Sequence, residues 1–335
     1  MGSMKLNIFE HLPSELLNCS VSNLHDILGG PTLIHLHKEK KNPLFISVLL
    51  HGNEHSGFLV IQKIWQKLLS QEIIAQRGLI FFIGNTLAAK ANQRQLNEQL
   101  DFNRVWSGGS CSMAQVAQKV LSYAKDEKVI TAIDIHNNSG KNPFYACVNK
   151  SETAFIDLAY YFSEKIVYFT EPHEVLSIAF SNFCTSVTIE AGLSGAQEGI
   201  KHLVEKILPL ISNKEILIKS NLVTPPIFHS IARFRVNPQS SIDFDFNPNS
   251  SHDLSLLSDL ENYNFVKLPQ GFVIGYIKSV DDFWLEHHFD EDFTHDYLDI
   301  KNNQIIVKRE FVPAMLTHNI EVIKTDCLGY IMEYL

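Results

Sequence analysis

Through the first two thirds of the chain, short unbroken apolar runs alternate with stretches whose apolar residues recur every three or four positions. The runs "TLIHLH" (32–37), "LFISVLL" (44–50), "LIFFIG" (79–84), "VITAIDI" (129–135) and "SVTIE" (186–190) predict strands. Those at 44–50 and 79–84 are too continuously apolar for a sheet with one wet face, so they belong in its middle. Helical spacing predicts helices over 57–69, 114–125, 154–162 and 197–208. In the first of these, Leu59, Trp65, Leu68 and Leu69 fall on one side and form the predicted core face. This alternation predicts an α/β fold with a mixed, mainly parallel sheet flanked by helices.

From about Asn213 the pattern changes. "VTPPIFHSIARFRVNP" has a double proline followed by strand-like alternation, and "FVKLPQGFVIGYIKS" predicts strand–turn–strand around Pro269, Gln270 and Gly271. "NNQIIVKREFV" continues in the same style. The expected division is a catalytic α/β domain over 4–212 and a β-rich C-terminal domain over 213–335.

Composition narrows the class. The 335 residues are 45% hydrophobic, enough for a large core, and the balance of 28 Lys+Arg against 37 Asp+Glu leaves −9. That charge argues against nucleic acid or an anionic membrane as the main partner. A homo-oligomer is compatible with the sequence. Five scattered cysteines without a C-x-x-C read as reduced thiols, and no apolar run reaches the roughly 20 residues of a membrane span. The opening "MGSM" reads as a cloning scar before Met4, not as a signal peptide, and the expected location is the cytoplasm.

The polar residues cluster where the apolar runs stop. His51, Glu54 and His55 follow the run at 44–50, His136-Asn137-Asn138 follow the run at 129–135, and Glu190-Ala191-Gly192 close the run at 186–190. In open α/β sheets such strand ends converge over one crevice, where ligand sites are built. Two imidazoles, one carboxylate and a water make up many catalytic zinc sites. His51 and Glu54, three apart, can share an ion from one turn, with His136 arriving from another strand. His55 competes with His51 for the first role. Asp134, two residues before His136, is placed to orient a ligand. Two other segments are weaker candidates. "EHHFDEDFTHD" (286–296) reads as a solvated acidic loop, and "GLSGAQEG" (192–199) lacks the Lys-Ser/Thr ending of a phosphate-cradling loop.

Four motifs in order, "HGNE" (51–54), "LDFNRVW" (100–106), "DIHNNS" (134–139) and "TIEAG" (188–192), resemble the signatures of the aspartoacylase and succinylglutamate desuccinylase family, within the zinc carboxypeptidase superfamily. The resemblance spans roughly residues 43–199. It implies a zinc-carboxypeptidase-like α/β domain, a β-rich C-terminal domain, and one zinc ion per chain held by His51, Glu54 and His136. It further implies Glu190 as general base, Arg94 as an aid to carbonyl polarisation, and Asn103 and Arg104 as binders of a substrate carboxylate. Such roles suit amide hydrolysis, which needs an activated water, a base and positive charge near the oxyanion.

Two departures stand out. About two extra residues separate Arg94 from the D-x-N-R element. The second carboxylate-binding arginine of aspartoacylases is missing, since residues 169–189 contain neither Arg nor Lys. N-acetylaspartate, a dicarboxylate, therefore fits poorly. Tyr330 and Tyr263 are the candidates for the tyrosine of the family's C-terminal domain. The expectation is a zinc-dependent deacylase of N-acyl amino acids or similar small carboxylates. The alternatives are a carboxypeptidase or ester hydrolase of the same superfamily, or a non-catalytic zinc-binding protein.

Overall fold

The computed structural model describes residues 4–214, 225–287 and 292–335. Residues 1–3, read above as a cloning scar, and part of the His- and acid-rich 286–296 segment lie outside the described residues. The chain divides into two compact units, Met1–Asn137 with Phe144–Pro225, and Asn138–Pro143 with Pro226–Leu335.

In the first unit the strands are β1 (Asn7–Phe9), β2 (Thr32–Leu36), β3 (Leu44–Val48), β4 (Leu79–Ile83), β5 (Thr131–Asn138), β6 (Tyr145–Val148), β7 (Ile166–Tyr168) and β8 (Thr185–Leu193). The helices are α1 (Leu24–Leu28), α2 (Ser56–Leu69), α3 (Thr86–Ala91), α4 (Ser112–Asp126), α5 (Thr153–Phe162), α6 (Leu176–Ser181) and α7 (Gln197–Ser212). Strand order is β1-β2-β4-β3-β5-β8-β6-β7. β3 pairs in parallel with both β4 and β5, whereas β2–β4 and β6–β8 are antiparallel, so the sheet is mixed. β3 and β4 are buried along their whole length, as their unbroken apolar runs predict.

The parallel pairing of β3 and β5 has a direct consequence. Val48 lies opposite Ile135, so both strands release their next residues at the same edge of the sheet. His51 and His136 emerge there.

One expected face is corrected. In α2 the buried apolar residues are Phe58, Val60, Ile61, Ile64 and Trp65, while Leu59 and Leu68 are half-buried and Leu69 is exposed. The first turns read "FLVI", apolar on every side, so spacing alone leaves the facing direction undetermined. Contact with the sheet and with α7 decides it. Gly57 fits this packing, because a Cβ there would lie 2.8 Å from Val48 Cγ1 on β3.

The second unit is β-rich, with β9 (Ile227–Val236), β10 (Ile242–Asp243), β11 (Leu254–Leu256), β12 (Val273–Ile277), β13 (Phe283–Glu286), β14 (Leu298–Lys301), β15 (Gln304–Val307), β16 (Val312–Ala314) and β17 (Gly329–Tyr334). β9 pairs antiparallel with β13 and β17, and β10-β11-β12-β15-β14 form a second sheet. The hairpin expected around Pro269-Gln270-Gly271 is not there. Residues 265–268 contribute only an isolated bridge, Leu268 to Phe311, and β12 pairs with β11 and β15 instead. Phe265 has a positive φ of 60°, which breaks the extended conformation that the hairpin requires.

Candidate metal centre and active site

Three buried groups converge at the shared edge of β3 and β5. His51 Nδ1 lies 2.7 Å from Glu54 Oε1, and His136 Nδ1 lies 2.8 Å from Glu54 Oε2. One ligand atom from each residue falls within 4.8 Å of the others. Each imidazole is backed on its far nitrogen by a carboxylate: His51 Nε2 by Asp101 Oδ1 at 2.9 Å and His136 Nε2 by Asp134 Oδ2 at 2.8 Å. A carboxylate behind the imidazole fixes its tautomer and ring plane and leaves the opposite nitrogen free to ligate. Two nitrogens and a carboxylate oxygen, buried and oriented in this way, suit a borderline metal ion with an open position. The His51–Glu54–His136 group can therefore hold a metal ion.

The loop carrying His51 is shaped by close packing. Gly52 lies so near α3 that a Cβ would come within 2.2 Å of the Ala88 carbonyl carbon and the Ala89 nitrogen. Its N–H donates to the Arg94 carbonyl at 3.1 Å. His55 stands apart from the ligand group. Its backbone N–H donates to Ser194 Oγ, and no imidazole atom of it joins the three converging ligands.

The 100–106 motif is anchored by its aromatics. Phe102 and Trp106 stack with centroids 6.2 Å apart beside Phe82, and Trp106 Nε1 donates to the Phe102 carbonyl at 2.7 Å. Truncating such a buried aromatic costs about 3–5 kcal/mol. Beside these anchors, Asp101 and Asn103 turn toward the candidate metal ligands. Asp101 Oδ1 accepts the Asn103 N–H at 2.7 Å as well as facing His51, and Asp101 Oδ2 accepts Arg94 Nη2 at 2.8 Å. The side-chain amide of Asn103 turns inward, with Oδ1 taking the Leu176 N–H at 2.9 Å and Nδ2 lying 3.4 Å from His136 Nε2. Arg104 is half-buried and donates from Nη1 to the Asn103 carbonyl at 2.9 Å. Its charge is among those that hold the Asp101 carboxyl well below the usual range.

Glu190 sits on β8, next to β5 in the sheet, and is 91% buried. Its Oε2 has no hydrogen-bond partner among the described residues, and it does not cap the next helix, α7, whose N-cap position makes no side-chain cap. Burial, opposed by the two imidazoles, pushes its carboxyl up to about 7. The ligand carboxylate behaves in the opposite way. Burial raises Glu54, but His51 and His136 outweigh it and hold the group well below the usual range. The imidazoles mirror this: burial lowers both, but their carboxylate partners raise His51 above, and His136 well above, the ordinary imidazole value.

Tyr330 stands opposite Arg233 in the β9–β17 pairing and Tyr263 packs edge-on to Phe272, both in the second unit. Sequence reading missed the double duty of Asp101 between His51 and Arg94, because that contact spans 50 residues along the chain. It also missed the side-chain partners of Asn137, whose position directly after His136 was the available signal.

Residues 40–196 match the family model described as the Succinylglutamate desuccinylase/Aspartoacylase catalytic domain. Among solved structures, the succinylglutamate desuccinylase from Chromobacterium violaceum is 14% identical, with a TM-score of 0.57, covering 82% of this chain and 88% of that one. A succinylglutamate desuccinylase/aspartoacylase from Rhodobacter sphaeroides is 14% identical, with a TM-score of 0.61 and coverage of 90% and 89%. Murine aminoacylase 3 is 13% identical, with a TM-score of 0.52 and coverage of 88% and 95%. No curated protein matches the sequence. By motif order and family model, residues 40–196 are similar to the catalytic domain of the succinylglutamate desuccinylase/aspartoacylase family, and the chain shares the fold of those solved structures.

Proposed function

We propose that the protein is a cytoplasmic zinc-dependent amidohydrolase that removes the acyl group from an N-acyl amino acid bearing one obligatory carboxylate. The observation that carries this reading is the pairing of a buried His51–Glu54–His136 group with a separate buried carboxylate, Glu190, whose Oε2 has no hydrogen-bond partner among the described residues. Binding a metal needs only the first of these; hydrolysis needs both. Zinc bound there would lower the pKa of a water to about 7 and polarise the acyl carbonyl. Glu190, with a carboxyl raised to about 7 by burial, is suited to take a proton near neutrality and return it to the leaving amine. Asp101 and Asp134 keep the imidazoles turned toward Glu54.

Arg104 supplies the carboxylate site. Its guanidinium has a bidentate fork and is steadied from behind by the Asn103 carbonyl. Arg94, held by Asp101, adds positive charge beside His51 and so near the developing oxyanion. The lack of any Arg or Lys in 169–189 favours a substrate with one carboxylate over one with two.

The test is metal content measured together with hydrolysis across a panel of N-acyl amino acids, with C-terminal peptides and matching esters alongside. Zinc near one per chain with turnover of N-acyl amino acids is the expected result. Faster cleavage of peptides would assign a carboxypeptidase, and zinc without turnover would assign a binding protein.

A further inference from the structure

Asn137 follows a candidate ligand, but its side chain turns away from the metal centre. Oδ1 accepts the backbone N–H of Ser56 at 3.1 Å, and Nδ2 donates to Ser56 Oγ at 3.0 Å and to the Gly192 carbonyl at 2.9 Å. Ser56 opens α2, and the residue at that helix's N-cap position, His55, makes no side-chain cap. Asn137 therefore caps α2 from another strand, 81 residues away. Ser56 Oγ also accepts the Gly195 N–H at 2.9 Å. Ser194 Oγ ties the same loop to Asn53 O at 2.8 Å and His55 N at 2.9 Å. The backbone N–H of Asn137 donates to Glu54 Oε2 at 3.1 Å.

These contacts join three chain segments: the loop with His51 and Glu54, the end of β5 with His136, and the end of β8 just past Glu190. Asn137 and Ser56 are both buried, and the amide of Asn137 has its oxygen and both N–H groups engaged. A saturated buried amide holds its partners in one arrangement, because any shift leaves a polar group unpaired.

We propose that Asn137 and Ser56 are positioning residues that set the spacing between the metal ligands and Glu190. The proposal rests on the roles given to those groups above. It adds that the base is registered to the metal through the Asn137 amide, not through contacts of its own carboxylate.

The experiment compares wild type, Asn137→Ala and the milder Ser56→Ala, each as the full chain. Backbone hydrogen exchange is read on peptides covering 51–57 and 191–197, with and without metal. Zinc affinity is read by competition with a chromophoric chelator, and kcat and KM at saturating zinc. Asn137→Ala should speed exchange in both segments at once, weaken zinc binding about 10- to 100-fold and lower kcat with little change in KM. Ser56→Ala should speed exchange in 191–197 more than in 51–57, because its own capping N–H remains. Faster exchange confined to the site of substitution, or unchanged exchange in a folded variant, overturns the clamp whether or not the protein binds zinc. Weaker zinc binding with wild-type kcat at saturation overturns the link to the base. A wild type with no zinc and no turnover defeats the functional reading alone, since the exchange result still decides the clamp.

Discussion

The two ends of the candidate centre are built on opposite plans. His51, Glu54 and His136 have a partner at each side-chain nitrogen or oxygen, whereas the Oε2 of Glu190, equally buried, has none among the described residues. The difference matches the roles proposed for them. A ligand has to keep one charge state and one direction, and the surrounding carboxylates and imidazoles enforce both. A base has to change charge state during turnover, and a carboxylate fixed by donors would resist protonation. Burial without a partner raises its proton affinity toward neutrality instead.

The strongest way to break this contrast is to remove a ligand. His136→Ala should lose most bound zinc and nearly all activity, while His55→Ala keeps both, read by metal analysis and hydrolysis rate. One zinc per chain retained in His136→Ala would show the ligand set to be wrong. The next variant tests the other plan. Glu190→Gln keeps the shape and removes the proton acceptor, so kcat should fall about 10²–10⁴-fold with zinc content unchanged. Turnover like the wild type would move the base elsewhere.

A smaller effect belongs to Arg104. Arg104→Ala should lower kcat/KM about 10- to 150-fold on a carboxylate-bearing N-acyl substrate, the equivalent of roughly 1.5–3 kcal/mol of charge-assisted hydrogen bonding. On the matching N-acyl amide the loss should be slight. Equal losses on the two compounds would assign Arg104 to the fold.

Protonation sharpens the comparison most gently. In the metal-free protein, carboxylate partners raise the pKa of His51 and, further, of His136, so both keep their protons to higher pH than a free imidazole does. Their stabilising ion pairs are fully present below the unfolded imidazole value and fade as pH rises through the folded one. Metal binding needs the neutral imidazole, so zinc uptake should release protons and its affinity should fall on acidification. Titrations in buffers of different ionisation enthalpy measure that release. An uptake with no net proton release would contradict the raised values.

Legibility in the sequence followed the range of the forces involved. Unbroken apolar runs marked β3 and β4 as central because burial on both faces requires them. The face of α2 was misread because its first turns are apolar all round and a distant helix, α7, sets the direction. The hairpin at Pro269–Gly271 failed on the backbone conformation of one residue, Phe265, which no alternation pattern encodes. At the site, the convergence of His51, Glu54 and His136 was legible because each follows the end of a strand run. Sequence left His55 as a rival to His51, and geometry separates the two. The bridge from His51 through Asp101 to Arg94 was not legible, because it joins residues brought together only by folding.

Gly52 has a consequence for how the centre is loaded. With no side chain, it lets the ligand loop rest directly on the backbone of α3, so loop and helix form one rigid piece before any ion arrives. Little chain entropy remains to be lost when the ion enters, and uptake should be quick, limited by access and proton departure instead of by folding. Removing the ion should correspondingly leave a shaped, refillable socket.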